Sequence, residues 1–135
     1  VSAADVETFK RAVDAYNRAD VGALVKELDP GVEWHPALPG LLAASAPVYR
    51  GHQGMAEMLR DFYEVLDEVS FFYSEVHDLD GRIVAIGHIR TRGKASGAVT
   101  ESPYANVAEL KDGKGIRLRG YLDPDEALEA VGLRG

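Results

Sequence analysis

Near the start of the chain, Val6, Phe9, Val13 and Tyr16 recur at three- and four-residue steps between Asp5, Glu7, Lys10, Asp14 and Arg18. That one-sided spacing predicts an amphipathic helix ending near Arg18. Asp20 then reads as the N-cap of a second, short helix with Val21, Leu24, Val25 and Leu28 as its buried stripe, closed by Asp29, Pro30 and Gly31. So short a link implies two antiparallel helices. GVEWH, residues 31–35, is a brief strand stopped by Pro36. From Pro36 to Gly51 there are two further prolines, little charge and no helical stripe, yet many Leu, Ala and Val residues. A loop that apolar must lie on something, either a cavity mouth or a neighbouring subunit, and residues 37–50 are a candidate lid. Met55, Leu59, Phe62 and Leu66, with Met58 and Val65 beside them, mark a third helix starting around Gly54.

Beyond the third helix the period drops from 3.6 to 2. Residues 69–77, 82–92, 99–111 and 116–121 read as strands divided by turns at Asp80-Gly81, Gly93-Lys94 and Asp112-Gly113, an antiparallel meander. Asp123, Pro124 and Glu126 supply an N-cap, a first-turn proline and a capping-box acid for a short last helix that Gly132 ends. Three helices, one short strand and four long strands predict an α+β domain. In it a cone-shaped, curved antiparallel sheet wraps around the N-terminal helices, and an incompletely filled core becomes a pocket at the deep end.

At 135 residues, 46% hydrophobic and 27% charged, the chain has the size and balance of one domain, spanning 1–135, rather than two. The absence of cysteine excludes disulfides, thiolate nucleophiles and cysteine-ligated metals. Fifteen Lys and Arg against twenty-two Asp and Glu give a formal charge of −7, which offers no electrostatic grip on nucleic acid or an anionic membrane. No apolar run has the length of a membrane span, and the first residues lack a basic-then-apolar leader. The reading is of a cytoplasmic protein, trimmed at its first residue because that residue is Val rather than Met.

Four strings, YNRADVGAL, VEWHP, YRGHQGM and DGKGIRLRGYLDPDEALEAVGL, in this order and spacing, resemble the nuclear-transport-factor-two-like superfamily, and within it the SnoaL-like branch, over nearly the whole chain. The resemblance implies the cone fold. It leaves activity open, since isomerases, cyclases, epoxide hydrolases, dehydratases and plain binding domains share the scaffold. Carried over from ketosteroid isomerases of this fold, the general-base position before a strand proline is His35, ahead of Pro36, and the two oxyanion positions are Ala12 and Asn106. An imidazole can move that proton near neutral pH, and an amide keeps one neutral donor, but the tyrosine donor is lost; Tyr16 lies one turn later. The aspartate of SnoaL-type polyketide cyclases falls on Gly120, and the Asp-Arg-Asp set of limonene-epoxide-hydrolase-like members finds no match.

Each candidate has a plainer alternative. His35, the leading catalytic candidate together with Asn106, is otherwise a half-exposed histidine at a strand end, while Trp34 should face the other way and pack core or dimer surface. Tyr104 and Asn106 share a parity that the resemblance turns inward, either toward a ligand or into a satisfied network with Tyr16. Phe9, Tyr16, Phe62 and Leu66 are pocket wall through the fold, or simply core. His88 alternates with Arg90 and Arg92 beside Val84 and Ile86, either near an acidic or enolate substrate or on a charged outer face. Arg117 and Arg119 extend that basic stripe toward Glu101 or Glu109. No histidine spacing suits a metal, and no phosphate loop, dinucleotide fingerprint or nucleophile elbow is present.

The sequence therefore predicts a homodimer, paired through the outer sheet face, that binds a small apolar molecule without cofactor or metal, and without nucleic-acid or membrane partners. It acts either as an isomerase or cyclase moving a proton next to a carbonyl, with ligand contacts from Phe9, Tyr16, Trp34, Phe62, Leu66, His88 and Tyr104, or as a non-catalytic ligand-binding or protein-interaction domain.

Overall fold

A computed structural model describes residues 2–37 and 47–133. Its elements are α1 (Ser2–Asn17), α2 (Val21–Lys26), β1 (Leu28–His35), β2 (Tyr49–Arg50), α3 (Gly51–Val65), β3 (Leu66–Asp78), β4 (Arg82–Gly93), β5 (Val99–Lys111), β6 (Lys114–Tyr121) and α4 (Pro124–Ala130). The strands form one curved, unclosed sheet in the order β2-β1-β6-β5-β4-β3, the α+β cone expected. The sheet is mixed rather than wholly antiparallel, because β1 runs parallel to β6 while the other pairs are antiparallel.

Local chemistry explains most boundaries. Asp20 accepts a hydrogen bond from the Ala23 amide and Asp123 one from Asp125, caps that each contribute about 1 kcal/mol. Asp80-Gly81 and Asp112-Gly113 all take positive φ, the paired left-handed residues that a tight hairpin turn requires. Leu28, expected on the second helix, begins β1 instead: the Glu27 carbonyl accepts from the Gly115 amide of the neighbouring chain segment, so sheet pairing ends the helix ahead of Pro30. The third helix starts at Gly51, three residues before Gly54, directly after the two-residue β2. Residues 38–46 of the expected loop and lid lie outside the described residues.

The two faces of the sheet have separate cores. The inner face packs Phe71, Ala85, Ile89, Tyr104, Ala108 and Leu118 against α1 and α3, which contribute Phe9, Ala12, Tyr16, Met55, Met58 and Phe62. On the outer face, Val84, Ala105 and Val107 are covered by Ala127 in the middle of α4 and Val131 just beyond its end. Asn17 holds the end of α1 to β3 by two bonds: its Nδ2 donates to the Phe71 carbonyl at 3.0 Å and its Oδ1 accepts from the Phe71 amide at 2.8 Å. The first helix is thereby anchored beside the strand that forms one wall of the interior. Among the described residues no helix is long and apolar enough to cross a membrane.

Candidate functional site

Strand alternation divides the candidate residues between the two faces. On β1, Val32 and Trp34 are buried while Glu33 and His35 are only partly so. Trp34 points into the cone and stacks on Tyr16, with ring centroids 5.4 Å apart and planes 13° apart. His35 points to the outer face, where its Nε2 lies 3.2 Å from Glu33 Oε1.

Inside the cone are two cavities of about 20 Å³ each, space for about one water molecule apiece. The first is walled by Phe9, Ala12, Val13, Phe71, Asn106 and Leu118, the second by Pro36, Ala37, Phe62, Leu66, Val69 and Ile89; Tyr16, Trp34 and Tyr104 line both. Seven of the nine proposed site residues, Phe9, Tyr16, Trp34, Phe62, Leu66, Tyr104 and Asn106, therefore line one cavity or both. His35 and His88 do not. His88 is exposed on the outer face of β4, its ring stacked on Phe72 of the neighbouring strand at 5.3 Å. The His35–Asn106 pairing that the proton-transfer reading requires is thus split across the sheet.

Polar groups in the interior are few and neutral. Tyr104 is 5% exposed and Asn106 3%. A side-chain hydrogen bond joins them and lowers the Tyr104 pKa, but burial outweighs it and pushes that phenol up to about 12. Tyr16 is raised well above its ordinary value, by burial first and then by the neighbouring phenols of Tyr104 and Tyr63. Both phenols therefore keep their protons at neutral pH and act as hydrogen-bond donors rather than bases. Asn106 Oδ1 is buried without a partner, in a position where an unmet acceptor costs about 1–3 kcal/mol. No carboxylate, histidine or lysine lines either cavity among the described residues.

Several lining residues escaped the sequence reading. Phe71 meets the Tyr104 ring edge-on at 5.0 Å; the alternation of Val69, Phe71 and Tyr73 along β3 was its signal. Gly120, paired with Asn106 across β5 and β6, has a steric role. A Cβ there would overlap the Tyr104 hydroxyl and lie 2.8 Å from its Cζ, so the glycine gives that phenol its place. A glycine within a strand is the sequence sign of such close approach.

Residues 9–118 match the model of the SnoaL-like domain family. The chain belongs to that family. No curated protein matches this SnoaL-like domain in sequence, but solved structures share its fold. It is similar to a protein of unknown function from Burkholderia pseudomallei described as NTF2-like, with 18% identity, a TM-score of 0.78 and coverage of 96% of this chain and 98% of that one. TerC, co-crystallised with polyporic acid, is 20% identical with a TM-score of 0.79, covering 93% of this chain and 96% of that one. A protein described as a SnoaL-like polyketide cyclase from Shewanella denitrificans is 14% identical with a TM-score of 0.70, covering 96% and 98% respectively. At these identities the likeness establishes the fold alone.

Proposed function

We propose that this SnoaL-like domain binds a small, mostly apolar molecule inside the cone, through a hydroxyl or N–H donated to Asn106, and that His35 takes no part in the site. The observation that carries this reading is the unpartnered Asn106 Oδ1, 3% exposed, on the wall of an otherwise apolar cavity. A guest that donates there satisfies the orphaned acceptor, while the aromatic walls cover its hydrocarbon part. The solved structure of TerC with polyporic acid supports small-molecule binding on this scaffold.

Each cavity alone is too small for such a guest. Tyr16, Trp34 and Tyr104 are common to both linings, and the reading requires the stacked Tyr16–Trp34 pair to give way so that the two spaces join. Because no carboxylate, histidine or lysine lines either cavity among the described residues, and both phenols there hold their protons tightly, binding is favoured over proton transfer.

The test is calorimetric titration with p-cresol and with p-xylene, which replaces the hydroxyl by a methyl group. Tighter p-cresol binding by about tenfold is expected, and Asn106→Leu should abolish the preference. Equal binding of the two probes, or a preference that survives Asn106→Leu, would overturn the assignment.

The reading includes a homodimer. Phe72 and Val99 on the far part of the outer face are 44% and 50% exposed, and a second copy packed there would cover them. Sedimentation should give a dimer that Phe72→Arg converts to monomer; a wild-type monomer would remove this part.

A further inference from the structure

The outer face carries a separate cavity, of about 170 Å³, between β1, β4, β5, β6 and the end of α4. It opens on the opposite side of the sheet from the two interior cavities. Two neighbouring cross-strand rows contribute to its lining, and they differ in charge balance.

In the first row, Arg82, Glu109, Arg117, Glu33 and Arg50 follow one another across β4, β5, β6, β1 and β2 in direct register. Cations and carboxylates alternate, and the ion pairs follow the register: Arg50–Glu33 at 3.5 Å, Arg117–Glu33 at 3.6 Å and Arg117–Glu109 at 3.9 Å. Both carboxylates therefore already have guanidinium partners.

The second row has no acid. Arg119 stands between Val107 on β5 and His35 on β1, and the His35 ring nitrogen is already turned to Glu33. Arg119 makes no ion pair among the described residues; its guanidinium carbon lies 5.1 Å over the Tyr121 ring. Above it the wall becomes apolar, with Val107, Ala130 and Val131 lining the same cavity. Arg119 is exposed, and Arg82 in the same lining likewise makes no ion pair among the described residues, so in a chain of formal charge −7 this cavity presents two guanidiniums without a carboxylate partner beside an apolar wall.

We propose that this cavity is a binding site for a short-chain carboxylate. The acid group accepts from the Arg119 guanidinium, whose fork matches a planar carboxylate. The hydrocarbon end lies on Val107 and Val131, and Arg82 at the rim adds to the field that draws the anion in. The volume is below that of a drug-sized pocket, which limits the guest to a few carbons. This site stands apart from the interior one.

Calorimetric titration of the whole protein with sodium butyrate, at constant ionic strength in chloride, tests it. Saturable binding is expected. It should weaken about tenfold or more in Arg119→Gln, the scale of one lost charge-assisted hydrogen bond, and persist in Arg92→Gln, an exposed arginine on the same face outside the cavity. Butyramide, which keeps the shape without the charge, should fail to bind the wild-type protein and so gives a readout independent of any variant's folding. No saturable binding, equal loss in Arg92→Gln, or equal binding of butyramide would overturn the proposal. So would inorganic phosphate binding more tightly than butyrate, or butyrate binding that Ala12→Leu in the interior removes and Arg119→Gln does not.

Discussion

The Tyr104 hydroxyl stands where a side chain on Gly120 would have to go. The two residues face the same interior from adjacent strands, and a Cβ on Gly120 would also come within 3.1 Å of the Ala37 Cβ. Tyr104 cannot simply turn away, because Phe71 meets its ring edge-on and Asn106 holds its hydroxyl. The position that the cyclase resemblance assigns to an aspartate is thus sterically closed by a phenol. Gly120→Ala should cost about 1–3 kcal/mol in urea unfolding, as overpacked core sites do. In a Tyr104→Val background the same change should cost less, with a coupling of about 1 kcal/mol in the double-mutant cycle. Additive costs would show that the two side chains do not compete for this space.

A second strand glycine makes a harsher prediction. A Cβ on Gly87 would overlap the Phe72 carbonyl oxygen and lie 2.6 Å from the Tyr73 Cα. These are backbone atoms of β3, beside the register shift between Tyr73 and Glu75. The Tyr104 phenol can yield by giving up its contacts with Phe71 and Asn106, whereas a hydrogen-bonded strand cannot move without losing its ladder. Gly87→Ala should therefore destabilise by about 3 kcal/mol or more, above Gly120→Ala, and it should do so equally with Tyr104 or Val at 104. Thermal unfolding of the four variants decides the ranking.

The sequence revealed period and punctuation better than it revealed faces. The change from three- and four-residue spacing to alternation located β3, β4, β5 and β6 to within a few residues, because hairpin turns at Asp80-Gly81 and Asp112-Gly113 leave the chain few other pairings. It missed the parallel pairing of β1 with β6, which depends on contacts between segments far apart in the chain. The alternation of Trp34 and His35 was legible, but which of them turns inward depends on where α1 lies, and that is set by Tyr16 stacking on the indole. The interior aromatic residues were found through the fold resemblance. Arg119 was legible only as part of a stripe, since its lack of an acid neighbour is a matter of strand register.

Two of the buried phenols, Tyr104 and Tyr16, make stability fall in alkali, with a sign fixed by linkage. Tyr104 has its pKa pushed up to about 12, whereas an unfolded chain releases a phenolic proton near pH 10. Between those values the folded state holds a proton that the unfolded state has lost, so stability is complete below about pH 10 and declines as the pH rises toward and through about 12. For Tyr104 the loss amounts to roughly 3 kcal/mol across the window, and Tyr16, raised in the same direction, adds to it. Ultraviolet titration of the six tyrosines should show at least two, Tyr104 and Tyr16 among them, that ionise only as the protein unfolds. Tyr104→Phe should flatten the decline measured by urea unfolding at successive pH values. Early, reversible ionisation of all six with the fold intact would contradict the buried placement.

Replacing His35 separates the two faces functionally. Its ring is the first cause of the lowered Glu33 pKa, ahead of Arg50 and Arg117, and it contacts neither interior cavity. In His35→Ala, Glu33 should therefore titrate closer to the ordinary carboxylate range, an upward shift visible in carbon-detected magnetic resonance of its carboxyl group. A carboxylate with a lowered folded pKa supports the fold above the ordinary carboxylate range and loses that support as the pH falls through its folded value. The variant should accordingly be less sensitive to acid at this position than wild type. Binding of p-cresol inside the cone should stay within about twofold, as expected for sites that share no partner. A large loss of p-cresol affinity in His35→Ala, with Asn106 and the fold intact, would instead return the histidine to the interior site and restore the proton-transfer reading.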